Sequence, residues 1–288
     1  MSIIFGGKDN DMDFFNKAKA VIISVPYGRT VSYKKGTEHG PEAILKASDN
    51  IELFDEELLV ETHSIGINTL PPLDVNGLKP EKMTSIVEKS VSEAMEKGKF
   101  PVILGGEHSV TIGAVKAAKK KYSDLSVLYF DAHADLRDSY NRSKYNHACV
   151  ARRLLEEVDL VEVGIRSFSK GEHDFFKEKK LNVMKMIDIL KEKDWSSIVK
   201  EKLGKNVYIS IDLDVFDPSI MPSVGTPEPG GMGWYDLLNA LKDIIGNKNI
   251  VGFDVVELCP TKNMLRSDFL AARLVYKILG YNFFKKER

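Results

Sequence analysis

Only two cysteines, Cys149 and Cys259, occur among 288 residues. That is too few for a disulfide framework, and their apolar neighbours fit a reducing cytosol. No stretch reaches the roughly 18 consecutive apolar residues of a membrane span, and residues 1–8 lack the charged start and apolar run of a secretory leader. Neither sign of charge prevails: 41 Lys and Arg face 42 Asp and Glu, a net charge of −1. No global field therefore draws the chain onto nucleic acid or an anionic membrane, and the basic residues are dispersed without an aromatic platform among them. Repeats, low-complexity tracts and Ser/Gly linkers are missing too. The expectation is a cytoplasmic protein with a single domain over residues 1–288, whose partners are local and specific. With 43% hydrophobic and 29% charged residues the chain can bury a large core, which excludes disorder as its main state.

Short apolar runs rich in β-branched residues are present at 20–25, 101–104, 126–130, 160–165, 207–211 and 250–256. Strands this continuously apolar are expected where helices cover both faces of a parallel sheet. Amphipathic spacing and caps predict helices over 40–47, 80–96, 109–122, 147–156, 195–203, 233–245 and 267–279, with Pro41 opening the first. Ser267 is the expected N-cap of the last helix and Gly280 its stop. Alternation of strand and helix predicts an α/β fold. Two irregular polar stretches, 138–146 and 219–232, directly follow strand ends rich in carboxylates and histidines, where open α/β sheets place their ligands.

The strongest chemical signal is Asp131-Ala132-His133-Ala134-Asp135, at the end of an apolar strand. A D-x-H-x-D pattern is expected by chance only ~0.03 times in such a chain. Alternation along an extended segment sends residues 131, 133 and 135 to one side, so two carboxylates and an imidazole can converge. A second strand runs into Asp212-Leu213-Asp214, with Asp217-Pro218 after it as a turn cap. Taken alone, the 212/214 pair is as consistent with capping as with metal binding. A third piece, Gly105-Gly106-Glu107-His108-Ser109, joins a strand to a helix and presents His108 at the same end of the sheet. Six candidate ligands result: His108, Asp131, His133, Asp135, Asp212 and Asp214. Oxygen-rich sets with one or two imidazoles suit Mn²⁺, with Mg²⁺, Co²⁺ or Zn²⁺ as competitors. One ion rarely needs so many carboxylates, whereas two ions about 3.5–4 Å apart use them naturally, and a metal-bound water can reach a pKa near 7. A binuclear hydrolytic site is the reading from the residues.

These motifs resemble the ureohydrolase family, which includes arginase, agmatinase, guanidinobutyrase and formimidoylglutamase. The similarity begins at Gly28-Arg29-Thr30 and Gly36-Thr37-Glu38-His39-Gly40-Pro41. It continues through the three ligand motifs and Gly225-Thr226-Pro227-Glu228-Pro229-Gly230-Gly231 to Asp254-Val255-Val256-Glu257. The resemblance implies a three-layer α/β/α domain with an eight-stranded parallel sheet and two Mn²⁺ ions at the C-terminal strand ends. It implies that His108, Asp131, Asp135 and Asp214 are ligands of one or both ions and His133 and Asp212 of the other, with Asp131 and Asp212 bridging. The implied reaction is attack of a bridging hydroxide on a guanidinium carbon, releasing urea and an amine. His147 resembles the family's proton shuttle, with helix capping as the alternative, and Glu257 the carboxylate that orients the guanidinium. The implied assembly is a homo-oligomer, trimer or hexamer.

Within the family, Asp135-Leu136-Arg137-Asp138 and His147-Ala148-Cys149 look like the agmatinase branch, which implies agmatine as substrate and putrescine as product. Glu228 and Asp138 are candidate readers of an ammonium tail on charge alone, while Arg137, Arg142 and Lys144 leave arginine or guanidinobutyrate as alternative substrates. Two rivals stand outside this reaction: a one-metal deacetylase, against which the second ligand set and Glu257 argue, and a non-catalytic relative kept for binding or regulation.

Overall fold

A computed structural model describes residues 3–11 and 13–285; residues 1 and 2 of the N-terminal stretch lie outside them. In chain order the strands are β1 (Ala20–Val25), β2 (Phe54–Asp55), β3 (Val60–Glu61), β4 (Ile67–Thr69), β5 (Phe100–Gly105), β6 (Leu125–Phe130), β7 (Asp159–Ile165), β8 (Asn182–Lys185), β9 (Asn206–Asp212) and β10 (Asn249–Val256). The α-helices are α1 (Gly40–Ser48), α2 (Pro80–Glu96), α3 (Thr111–Lys121), α4 (Val150–Leu154), α5 (Lys170–Lys179), α6 (Met186–Ile189), α7 (Trp195–Lys202), α8 (Trp234–Asn247) and α9 (Leu265–Phe283).

Eight strands form one parallel sheet in the order β4-β1-β5-β10-β9-β6-β7-β8, and β2 and β3 form a separate antiparallel hairpin. The apolar runs expected as strands are its six inner members. β1 and β6 are buried at every position, as a sheet covered on both faces requires. One face carries α1, α8 and α9, whose Ile44, Leu241, Ile244 and Leu274 pack on Ile22, Val102, Ile209 and Ile211. The opposite face carries α2 to α5, whose Val87, Val91, Val115, Leu154 and Phe176 pack on Ile23, Ile103, Val127 and Tyr129. This is the expected three-layer α/β/α architecture, with a core on each side of the sheet.

Helix ends depart from expectation at three places. Ser109 lies in a 3-10 turn, His108–Val110, ahead of α3. Ser267 is buried inside α9, which starts at Leu265, and Gly280 is inside it as well. Gly280 does not stop the helix: a Cβ there would lie 2.8 Å from Leu58 Cδ1 and 2.9 Å from Thr62 Oγ1, so glycine lets α9 approach the segment after β2 closely.

Candidate active site

The register of the central strands explains why residues far apart in sequence meet. Ile211 pairs with Phe130, and Asp212 with Val256, so Asp131, Asp212 and Glu257 leave β6, β9 and β10 at nearly one level. Leu104 pairs with Val255, and the Glu257 amide donates to Gly106 O at 2.8 Å, which brings the loop before His108 to the same edge. Gly106 is required there, since a Cβ would lie 1.9 Å from Tyr27 O.

Most of the acidic side chains divide their two oxygens between a backbone donor and the site. Asp131 Oδ1 accepts from the His133 amide at 2.6 Å, Asp212 Oδ1 from the Asp214 amide at 2.8 Å, Asp214 Oδ1 from the Ala132 amide at 2.9 Å and Glu257 Oε1 from the His108 amide at 2.8 Å. Asp135 Oδ2 is held by the Tyr129 hydroxyl at 2.8 Å. Asp135 and Glu257 also adopt left-handed backbone, with φ of 48° and 65°, which an L-residue with a Cβ enters at some cost and which the surrounding structure must enforce.

Among the described residues, His108, Asp131 and Asp212 form one potential metal-holding group and Asp131, His133 and Asp214 another. Asp131 is common to both. His108 Nδ1 lies 3.0 Å from Asp131 Oδ2, 3.2 Å from Asp212 Oδ2 and 3.7 Å from Asp135 Oδ2. His133 Nδ1 lies 2.8 Å from Asp214 Oδ2 and 3.5 Å from Asp131 Oδ1. The grouping differs from the expected one in that Asp214 stands with His133, because the turn from Asp212 to Asp214 carries it across Asp131 to the Ala132 side; Asp212 stands with His108.

The electrostatics fit a cation-binding site. Burial, reinforced by Asp131, pushes the Asp135 carboxyl up to about 8, and burial together with Asp214 and Asp131 raises Asp212 well above its ordinary range. For Asp131 burial acts the same way, but hydrogen bonds to His108 and His133 outweigh it and hold the group ionised. Burial disfavours the charged form of both histidines, yet their carboxylate neighbours win and raise them. Two imidazolium charges cannot neutralise four clustered carboxylates, so some carboxyls keep protons where cations would serve. Asp131 Oδ2 is buried without a backbone donor and faces His108 Nδ1 at 3.0 Å. An oxygen-rich set with two imidazoles matches divalent ions.

A cavity of about 330 Å³ opens over these groups, and His108, His133, Asp135, His147, Asp212, Asp214 and Glu257 line it. Burial brings the Glu257 carboxyl up to about 8, with Glu107 adding to the effect. His147 follows Asn146, whose side chain caps the turn by accepting from the Ala148 amide at 3.0 Å. Burial lowers the His147 imidazole to about 4, so it is neutral at pH 7. The unfolded chain protonates this histidine near 6.5. Stability supplied by the neutral ring is therefore complete above that value and declines as pH falls toward 4. Comparing urea unfolding at pH 7 and pH 5 should give a loss smaller by about 1 kcal/mol in His147→Asn than in the parent chain.

The two residues named as tail readers are not in the lining. Asp138 pairs with Arg153 at 2.8 Å, and Glu228 Oε1 accepts from Ser167 Oγ at 3.0 Å, leaving Ser167 to face the cavity. Glu172 does line it, a residue that sequence reasoning missed although Ser169-Lys170-Gly171-Glu172 is a capping-box pattern, here realised at the start of α5.

A family model described as the arginase family matches residues 18–280. The chain belongs to the arginase family. Its relatives include an N(1)-aminopropylagmatine ureohydrolase of Synechocystis, 40% identical over 92% of this chain and 89% of that one. An agmatinase of Pyrococcus horikoshii is 34% identical over 91% and 92%. The crystal structure of an agmatine ureohydrolase of Thermoplasma volcanium superposes with a TM-score of 0.88 at 33% identity, over 96% of this chain and 93% of that one. The chain is thus an arginase-family ureohydrolase, a hydrolase of guanidino groups in a family that depends on a binuclear metal centre.

Behind its site residues the ureohydrolase has further partners that no sequence motif singles out. His108 Nε2 meets Ser210 Oγ at 2.9 Å, and Ser210 donates to Asp254 Oδ1 at 2.7 Å. This turns Nδ1 toward the carboxylates. Outer partners of this kind govern ligand orientation, so Ser210→Ala should weaken divalent-metal binding about 10–100-fold in calorimetric titration. Arg166, directly after β7, donates to the carbonyls of Asp214 at 2.6 Å and Glu228 at 2.8 Å, clamping the loop that carries Asp214.

Proposed function

We propose that the chain hydrolyses agmatine to urea and putrescine with two Mn²⁺ ions, one held by His108, Asp131, Asp135 and Asp212 and the other by Asp131, His133 and Asp214. The observation that carries this reading is the cavity wall. Beyond the ligand groups its carboxylates are Glu257 and Glu172, the latter already accepting from Ser169 and Leu136 and facing Arg137 Nε at 3.9 Å. Lys34 Nζ binds Thr261 Oγ1 at 2.8 Å and Cys259 O at 3.2 Å. The Arg137 guanidinium lies 4.9 Å over the Tyr140 ring. Such a wall favours a cationic guanidinium at Glu257 and, with Lys34 engaged, offers little to a distal carboxylate.

Divalent ions held by these residues would supply the nucleophile by lowering the pKa of a water toward about 7. The chain's own residues do the rest. Glu257, fixed through Oε1 by the His108 amide, keeps Oε2 for the cationic guanidinium. Water oxygen joins the guanidinium carbon and becomes the carbonyl of urea, the bond to the alkyl nitrogen breaks, and both water protons end on that nitrogen, which leaves as an ammonium. Neutral His147 is suited to carry one of them.

A second reading, N(1)-aminopropylagmatine as substrate, is favoured by relatives of that name at 37–40% identity over 92–97% of this chain. Urea release from agmatine, N(1)-aminopropylagmatine, arginine and 4-guanidinobutyrate should be compared on Mn²⁺-loaded protein. Turnover of agmatine at least about tenfold above the others, in kcat/KM, is expected. Preference for the aminopropyl compound selects the second reading, and arginine or guanidinobutyrate as best substrate overturns both.

A further inference from the structure

His147 is not held by a carboxylate or a metal ligand but by a hydroxyl. Its backbone amide donates to Thr30 Oγ1 at 3.0 Å, and its ring Nδ1 lies 3.3 Å from the same oxygen. Thr30 in turn is bound at two points by Glu107: its amide donates to Oε2 at 2.5 Å and its hydroxyl to Oε1 at 2.6 Å. The Ser109 hydroxyl donates to Oε1 as well, at 2.5 Å. Glu107 is fully buried, and its loop is pinned to the end of β1 by the hydrogen bond from its amide to Tyr27 O at 2.8 Å.

A threonine hydroxyl has one proton to give and two lone pairs to receive. The 2.6 Å contact to a carboxylate oxygen that already accepts from Ser109 is much the stronger claim on that proton than the 3.3 Å contact to an imidazole. Thr30 Oγ1 is then left only with acceptor capacity toward His147. It receives the backbone N–H on one side, and the ring nitrogen facing it can satisfy the contact only as Nδ1–H.

We propose that Glu107 and Thr30 are positioning residues that fix His147 as its Nδ1–H tautomer, leaving the Nε2 lone pair to receive the proton destined for the leaving nitrogen. This rests on the guanidine-hydrolase reading for its catalytic half but not for its tautomeric half. The neutral ring with Nε2 open is a base at that atom; once Nε2 has taken the water-derived proton, it releases the same proton to the alkyl nitrogen, and the ring returns to its starting tautomer. Without the hydroxyl, the ring keeps only its contact with the Thr30 backbone and the edge-on Tyr140 ring, and it is freer to place its proton on Nε2, where it cannot accept.

The test has two arms. Long-range ¹H–¹⁵N spectra of metal-free, ¹⁵N-histidine-labelled protein at pH 7, with His147 assigned by its loss in His147→Asn, should show Nδ1 protonated and Nε2 bare. In Thr30→Val the ring should shift toward a tautomer mixture, and in Thr30→Ser it should return to the parent form. In the Mn²⁺-loaded enzyme Thr30→Val should lower kcat about 10–100-fold with KM changed less than about threefold, and Thr30→Ser should restore most of it. A parent spectrum with the proton on Nε2 overturns the proposal whether or not either variant folds. So does a folded Thr30→Val with unaltered tautomer and kcat. If the parent chain releases urea from none of the guanidines, the functional reading falls, and the spectra alone still decide the tautomer.

Discussion

Asp135→Asn should abolish urea release while leaving the metal-free fold intact. The two halves of that expectation have separate causes. Burial and the neighbouring Asp131 charge keep the Asp135 carboxyl protonated up to about pH 8, so at neutral pH and without metal an amide replaces a group that is already uncharged. Its backbone is left-handed, with φ of 48°, a conformation that asparagine tolerates better than almost any other residue with a Cβ. The Tyr129 hydroxyl can donate to the amide oxygen as it does to the carboxyl. Melting temperature without metal should therefore move by less than about 2 °C. As a proposed ligand, however, Asp135 cannot be replaced by a neutral amide without loss of ion affinity. Removing even outer partners of such ligands costs 10–100-fold, so activity at limiting Mn²⁺ should fall by more than about 100-fold. Asp131→Asn provides the contrast: that carboxylate is held ionised by two imidazoles, so the substitution should lower stability without metal as well as activity. Retained turnover in Asp135→Asn would remove Asp135 from the ligand set.

The largest effect on stability is expected far along the chain, at Lys277. Its side chain is 2% exposed, and Nζ contacts Asp55 Oδ1 at 3.0 Å, Glu56 Oε1 at 3.0 Å and Glu57 Oε2 at 3.4 Å. The lysine thereby ties the β2–β3 hairpin to α9, and the Tyr281 hydroxyl adds a bond to Glu57 at 2.6 Å. Lys277→Met keeps the apolar stem but leaves Asp55, which is fully buried, without its cation. Breaking one side of a buried pair costs about 3–5 kcal/mol, much of it from the stranded charge. For a chain of this size that is a fall of roughly 5–15 °C in Tm by calorimetry. Adding Asp55→Leu to Lys277→Met should recover part of the loss, because the stranded charge goes with it; a double variant no more stable than the single one would point instead to lost packing.

The inner strands and the clustered His and Asp residues are legible because each strand is a largely apolar run and each cluster motif sits at the end of one. A run apolar on both faces is read as a buried strand without any alternation, and a cluster of carboxylates after such a run has few structural uses. What escaped was either short or remote. β4 and β8, three and four residues long, lie at the two edges of the sheet, where polar residues such as Asn68, Thr69 and Asn182 suit a half-covered strand but mask its pattern. The hairpin at 54–61 reads as a charged loop because what orders it is Lys277, more than two hundred residues later. Asp138 and Glu228 suggest themselves by charge alone, yet Arg153 and Ser167 engage them, partners that no spacing in the sequence reveals. Thr30 and Glu107 stood inside quoted motifs without a role, since only the fold brings residue 30 beside residue 147.

The place of β10 in the sheet bears on how the protein is made. It is the last strand in the chain, yet it lies in the middle, between β5 and β9. While a ribosome is still synthesising the first 248 residues, strands β4, β1 and β5 can pair with one another, and so can β9, β6, β7 and β8, but nothing joins the two sets. Insertion of residues 249–256 then closes both seams at once and sets Glu257 beside His108. Domains generally fold as units during synthesis, and this one can complete its sheet only after Val256 has been translated. Until then two unsealed strand edges face each other, a geometry that favours pairing with the wrong chain on a crowded polysome.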